Sequence, residues 1–321
     1  MKFLVTGGAG FIGSHLCERL ISLGHTVTAF DNFSTGRSSN LSNIKDSSDF
    51  TLVEGSILDA AVLKSLIHDA DYVFHLAAAV GVFNIVENPL ESLLTNIRGT
   101  ENVLEAAHET NTPVFLTSSS EVYGKNTSDS LKESDDRILG SPTTLRWSYS
   151  EAKAIDESLA YAYFIEKQLE TRIVRFFNTV GPRQLGAYGM VVPRFVKAAL
   201  ANEPITIYGD GNQTRCFAHV DDVIDAVVSI AFTESAIGKV INIGNNFEIS
   251  INDLAKKVIL ETGSHSEIVY VPYSEAYGHG FEDMERRVPN IELIKQLVSW
   301  TPERDLSRII FDISAEMRKL S

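Results

Sequence analysis

Short apolar runs alternate with amphipathic stretches through the first half of the chain. Residues 3–6, 26–30, 50–53, 72–76 and 114–117 are rich in Val, Phe, Leu and Thr, as strands are. Between them, residues 14–22, 60–67 and 90–109 carry apolar side chains at helical spacing. Such repeated strand–helix units predict a parallel sheet covered by helices on both faces. A long helix is expected over 148–167 and a sixth strand over 171–176.

The rhythm breaks near Asn178. The segment GPRQLGAYGMVVPRF reads as a loop, a helix is expected over 195–201, and PITIYGDGNQTR reads as a strand and turn. A helix at 221–232 and a strand at 240–243 resemble a return to the sheet. The expected division is a first domain at 1–178, rejoined by 217–243, and a second at 179–321. No internal repeat is evident, and 34–48 is a polar loop rich in Ser and Asn.

The first strand runs into TGGAGFIG, which places Gly7, Gly10 and Gly13 between a strand and a helix. Glycines there let the backbone turn tightly and approach a pyrophosphate, whose charge rests on the helix N-terminus. Asp31 ends the second strand, where a carboxylate binds ribose hydroxyls and repels a 2′-phosphate, so NAD is expected over NADP. Arg37 could accept such a phosphate, but a solvated loop arginine is the simpler reading.

Charge and cysteine usage narrow the alternatives. A net charge of −14 disfavours a nucleic-acid surface. It leaves room for an anionic small molecule held by local donors. Cys17 and Cys216 match no metal spacing, and neither do His219 and His279, so no metal site is expected. Reduced cysteines, the short apolar start and the lack of a membrane-length run lead to the expectation of a soluble cytoplasmic protein.

Two further stretches carry chemistry. In WSYSEAK, Tyr149 and Lys153 fall at i and i+4 of a predicted helix and so share a face. A neighbouring ammonium stabilises tyrosinate, and on that ground Lys153 is expected to lower the Tyr149 pKa. In VFLTSSSEVYG, an apolar strand ends in Ser118, Ser119 and Ser120, followed by Glu121. Polarity at the carboxyl edge of a parallel sheet marks a reaction site. His75, set among Leu and Ala, reads as a satisfied strand-end histidine.

Taken together, the chain resembles the extended short-chain dehydrogenase/reductases that epimerise, dehydrate or decarboxylate nucleotide sugars. The resemblance spans nearly the whole length. It rests on TGGAGFIG, DNFSTG, HLAA, TNIRGT, SSSEVYG, YSEAK, RFFNTVGPR and YGDGNQTR. It implies a Rossmann-type α/β fold with a smaller mixed C-terminal substrate domain, tightly held NAD, a UDP-sugar substrate and a homodimer built on helices 90–109 and 148–167.

Carried over by position, Ser119 hydrogen-bonds the sugar 4-hydroxyl, Tyr149 takes its proton, and Lys153 binds the nicotinamide ribose. Cofactor contacts are implied for Gly7, Gly10, Phe11, Ile12 and Gly13, and for Asn32, Ser34, Thr35 and Gly36 beside Asp31. They extend to Ile57, Leu76, Ala77, Ala78 and Asn96, the last bonding across the sheet. Where many relatives have Asp in a G-D-I motif near adenine, this chain has Ser56. Substrate contacts are implied for Ser120, Asn178, Val192, Tyr208 and Gln213. Arg215 and Arg287 match arginines that hold UDP phosphates or a sugar acid group.

Glu121 divides the possible reactions. A 4-epimerase needs no second acid; a dehydratase of this group uses an Asp-Glu pair, and here Ser120 stands in the Asp place. Decarboxylases of UDP-glucuronate resemble the chain through Ser-Glu-Val-Tyr-Gly and Arg287-Val288-Pro289, although Glu121 could simply anchor its loop. The segments LGSPTTLRWSY and GAYGMVVPRF look more like bacterial UDP-sugar epimerases. The expected activity is therefore 4-epimerisation of a UDP-glucose or UDP-glucuronate type substrate, ahead of decarboxylation and then dehydration. A non-catalytic NAD-binding regulator would lack Tyr149 and Lys153, and a simple alcohol dehydrogenase would need no UDP-binding second half.

Overall fold

The computed structural model describes residues 1–81, 87–186, 190–272, 275, 284 and 286–320; His279 lies outside them. Six of the strands that build the sheet come early: β1 (Lys2–Thr6), β2 (Thr26–Asp31), β3 (Phe50–Glu54), β4 (Tyr72–His75), β5 (Val114–Ser119) and β6 (Thr171–Phe176). After β7 (Thr179–Val180), β8 (Ile205–Tyr208), β9 (Thr214–Cys216) and β10 (Ala218–His219), the sheet is completed by β11 (Val240–Ile243). Its order is β11-β6-β5-β4-β1-β2-β3, with every pairing parallel. The order reverses between β1 and β4, which opens a crevice at their carboxyl ends. The α/β parallel sheet expected from the alternating pattern is therefore observed.

Helices cover both faces. On one, α1 (Phe11–Ser22) packs with the later helix at Val220–Ala231; on the other lie α2 (Ala60–His68), α3 (Pro89–Thr110) and α4 (Ser148–Lys167). Alternate strand residues divide between the two cores. Phe3, Val5, Phe74 and Phe115 face the first, while Leu4, Val73, Val114 and Leu116 face the second. Burial on both faces is why these strands read as continuous apolar runs.

The second half adds α5 (Val191–Leu200), α6 (Val220–Ala231), β12 (Glu248–Ser250), α7 (Ile251–Thr262), β13 (Ile268–Val271), α8 (Glu292–Val298) and α9 (Leu306–Leu320). Helices α5, α7 and α9 enclose a separate apolar core with β8, built on Phe195, Ile207, Leu254 and Ile310. Helix α5 starts at Val191, earlier than the expected 195. Pro193 falls in its first turn, where a missing N–H leaves no bond unmade. Strand β5 also runs further than the apolar pattern suggested, so Ser118 and Ser119 lie on the strand itself.

One buried carboxylate ties the last segment to the sheet. Asp222 in α6 is 2% exposed. Its Oδ2 accepts from the backbone N–H groups of Glu303 at 3.2 Å and Arg304 at 2.9 Å, and Oδ1 pairs with the Arg304 guanidinium. Removing a buried charge partner costs about 3–5 kcal/mol. Asp222→Ala is expected to destabilise the fold by an amount of that order, read by denaturant unfolding.

Candidate active site

A cavity of about 660 Å³ runs along the carboxyl edge of the sheet, from the glycine turn after β1 to the segment following β8. At its first end the turn is sterically closed to side chains. Gly7 has φ +72°, and a Cβ there would lie 2.8 Å from Ala77 N. A Cβ on Gly13 would lie 2.1 Å from Gly7 O. Helix α1 thus begins against bare backbone and presents its N-terminus to the cavity, as a pyrophosphate requires. Phe11, Ile12, Leu76, Ala77 and Ala78 line the walls with these glycines.

Asp31, at the end of β2, is buried and lines the cavity. Its Oδ2 accepts from Ala9 N at 2.9 Å and Oδ1 from Phe33 N at 2.8 Å. Burial raises its pKa, and the backbone donors partly oppose that. Asn32, Ser34, Thr35 and Ile57 also line the site. Gly36 sits over Asp31, where a Cβ would come 2.9 Å from Oδ1. Arg37 is exposed.

Three expected contacts fall elsewhere. Ser56 Oγ accepts from Leu58 N at 3.2 Å, which commits it to its own turn, outside the cavity lining. Asn96 does not reach across the sheet: it accepts from Ala79 N at 2.7 Å and donates to Ala79 O at 3.2 Å, pinning the loop after β4. Val192 is fully buried in the C-terminal core, since the early start of α5 turns it inward.

Around the end of β5 the expected side chains converge. Ser119 closes the strand, and Tyr149 and Lys153 lie one turn apart on α4. The Ser119 hydroxyl hydrogen-bonds Tyr149 and accepts from Glu121 N at 3.2 Å. Lys153 Nζ donates to Thr117 O at 3.1 Å and stands 3.3 Å from Asp156 Oδ2. The expected lowering of the Tyr149 pKa is not found. Burial raises it, the carboxylates of Glu121 and Asp156 raise it further, and only the Ser119 bond opposes them. Lys153 is occupied by other partners.

The three serines differ in role. Ser118 lines the cavity, while its hydroxyl donates to Glu157 Oε1 at 2.5 Å; Glu157 in turn holds Arg175 through two bonds of 2.9 and 2.7 Å. Ser120 is buried and its residue lines the site beside Ser119. His75 is the satisfied histidine expected, with Nδ1 2.8 Å from Thr6 Oγ1 and Nε2 3.2 Å from Thr100 Oγ1. Burial, assisted by Lys153, pushes its pKa down to about 3, so it is neutral.

Glu121 lies between two arginines. Arg287 Nη1 is 2.5 Å from its Oε1, and Arg146 Nη1 is 2.6 Å from its Oε2. Burial alone would raise this carboxyl's pKa, but the two guanidiniums outweigh it and hold Glu121 well below the usual carboxylate range. Arg287 Nη2 also donates to Asn178 Oδ1 at 3.1 Å, and Asn178 Nδ2 donates to Cys216 O at 2.9 Å. The Arg287 Nε is buried with no partner among the described residues. Arg146 is a residue that sequence reasoning missed. Its signal was a cation in the tight turn leading into Tyr149.

At the far end, Tyr208, Gln213 and Arg215 line the cavity. Arg215 Nη1 donates to Thr214 O at 2.8 Å, and Gln213 Nε2 to Tyr208 O at 3.2 Å. Arg194, also unanticipated, stacks its guanidinium 4.2 Å from the Tyr208 ring centre.

The sequence pattern of the NAD-dependent epimerase/dehydratase family matches residues 3–244. The chain belongs to that family. Among its relatives, a UDP-N-acetyl-alpha-D-glucosaminuronate decarboxylase of Bacillus cytotoxicus is 42% identical over 94% of this chain and 92% of its own. UDP-glucuronic acid decarboxylase 1 of Xenopus tropicalis is 36% identical over 94% and 68%, respectively. Among solved structures, a UDP-glucuronic acid 4-epimerase from Bacillus cereus, bound to UDP-glucuronic acid and NAD, overlays all of both chains with a TM-score of 0.90 and 30% identity.

NAD is the cofactor of this epimerase/dehydratase family member. The residues present fit it: a glycine cradle closed to any Cβ, a helix N-terminus, and a carboxylate at the end of β2. Gly13→Ala, whose methyl would collide with Gly7 O, is expected to weaken NAD binding more than about tenfold, a loss exceeding about 1.4 kcal/mol. Titration of NAD into the purified variant checks this.

Proposed function

We propose that this protein is an NAD-dependent decarboxylase of a UDP-linked sugar acid, of the UDP-glucuronate type. The observation that carries the reading is the pairing of two guanidiniums, Arg146 and Arg287, with the single carboxylate of Glu121 beside Ser119 and Tyr149. Both guanidiniums line the cavity. A C6 carboxylate can share them with Glu121, whereas a neutral hexose has no anion to offer. The relatives named as decarboxylases of UDP-sugar acids support the same choice.

Ser119 and Tyr149 would receive the sugar 4-hydroxyl, with Tyr149 taking its proton as C4 becomes a ketone. Bound NAD supplies the acceptor for the C4 hydride and later returns it. The product of that oxidation is a β-keto acid. Its C5–C6 bond breaks, carbon dioxide leaves, and the electron pair passes into the C4–C5 enolate. Arg287 and Arg146 first orient the carboxylate; a proton from solvent at C5, the returned hydride at C4 and the Tyr149 proton at O4 complete a UDP-pentose. Glu121, held ionised, serves here to keep the guanidiniums in place.

A second reading, 4-epimerisation of a UDP-sugar acid, is favoured by the full-length overlay on the Bacillus cereus enzyme. It shares the C4 oxidation and differs in rotating the ketone before hydride returns. A homodimer also fits the exposed apolar side chains of α3 and α4, among them Leu90, Ile155, Tyr161 and Ile165.

Mass analysis after incubation with UDP-glucuronate, its N-acetylglucosamine counterpart and UDP-glucose distinguishes these readings. Decarboxylation predicts loss of carbon dioxide from an acid and no change in UDP-glucose; an isomer of unchanged mass would favour epimerisation instead. Because Glu121 holds both guanidiniums, Glu121→Gln is expected to weaken binding of the sugar acid, read as a raised KM, whichever of the two reactions follows. Tyr149→Phe is expected to lower turnover by about 100-fold or more while NAD remains bound, because the proton acceptor alone is lost.

A further inference from the structure

Behind the reacting groups lies a carboxylate that the chemistry above leaves unused. Asp156 follows Lys153 by three residues on α4, so both project from one face. It is 0% exposed. Its Oδ2 stands 3.3 Å from Lys153 Nζ, and the same ammonium donates to Thr117 O of β5 at 3.1 Å. Burial raises the Asp156 pKa and the Lys153 ammonium opposes that, so a carboxylate so enclosed depends on this cation to remain ionised.

The surrounding groups leave Lys153 as that cation. On α4 itself, Glu157 has its charge taken by Arg175 of β6. From α3, Thr100 lies beside Asp156 with its hydroxyl 3.2 Å from His75 Nε2, and Asn96 is occupied by Ala79. From β4, His75 faces Lys153 but is neutral. Beyond the end of β5, Glu121 is matched by Arg146 and Arg287. A lysine fixed to the strand and paired with a buried carboxylate exerts little net positive field on its neighbour one turn back.

We propose that Asp156 sets the pH at which Tyr149 can act as a base, by fixing Lys153 against β5 and offsetting its charge. It is a positioning residue, since it acts through Lys153 and does not line the cavity. The upward displacement of the Tyr149 pKa, to which Asp156 contributes after burial and Glu121, is consistent with this role. The proposal rests on Tyr149 serving in C4 oxidation, which decarboxylation and epimerisation share.

Asp156→Asn keeps the shape and removes the charge, leaving the lysine uncompensated. Tyrosinate is then stabilised. The acid limb of kcat/KM for UDP-glucuronate is expected to move to lower pH by about one unit, the size a nearby charge commonly produces. In the NAD-loaded protein, the ultraviolet titration of the Tyr149 phenol, isolated by subtracting the matching Tyr149→Phe protein, is expected to move the same way. Asp156→Glu, which restores the charge, is expected to return both toward the original position. Should Asp156→Asn fail to fold, Asp156→Ser provides the same charge removal with less bulk. A lower rate at every pH with an unmoved limb and phenol titration, or a shift of either to higher pH, would overturn the proposal. The phenol titration needs no substrate. Absence of UDP-glucuronate turnover by the unaltered protein would therefore count against the substrate reading alone.

Discussion

Ionised side chains buried at the carboxyl end of β5 must each find a partner, and that constraint organises the site. Water cannot screen them there, so an unmatched charge would cost several kcal/mol. Three matched sets result: Glu157 with Arg175, Lys153 with Asp156, and Glu121 with Arg146 and Arg287. The first two pair one charge with one; the third brings two guanidiniums to one carboxylate on the cavity wall.

These sets also hold the strand end in place. Ser118 is drawn toward Glu157, which directs the next residue, Ser119, to the cavity side, as alternation along a strand requires. Thr117 O anchors Lys153 from the same strand. Asn178 connects Arg287 to the backbone at Cys216, so the site's main cation is braced by the segment leading into the second half of the chain. Side chains held this way are positioned before any ligand arrives.

Much of this was legible in the sequence because it depends on local pattern. The parallel sheet followed from alternating strands and helices, and the glycine turn from its place between β1 and α1. The shared helix face of Tyr149 and Lys153 was legible from their spacing, while the roles expected of them came from the glycine turn, the serine cluster and the family resemblance. What could not be read were relations between distant positions. Asp156 sits beside Lys153 in the chain, yet its effect depends on burial that only packing reveals. Arg146 and Arg287 are separated by more than a hundred residues, yet both guanidiniums meet at Glu121. Ser56 and Val192 lie outside the cavity lining for a related reason: the Ser56 hydroxyl accepts within its own turn, and a helix that began a turn early faced Val192 into a core.

The arginine pair has a consequence for affinity. Before any acidic ligand enters, Glu121 already acts as a resident counter-anion, so the guanidiniums are dehydrated and aligned in advance. On the proposed reading, an incoming carboxylate joins an assembled salt cluster and does not have to strip water from two bare cations. Its gain is correspondingly the difference between sharing those donors and leaving them with Glu121, which favours selectivity for acids over very tight retention of them.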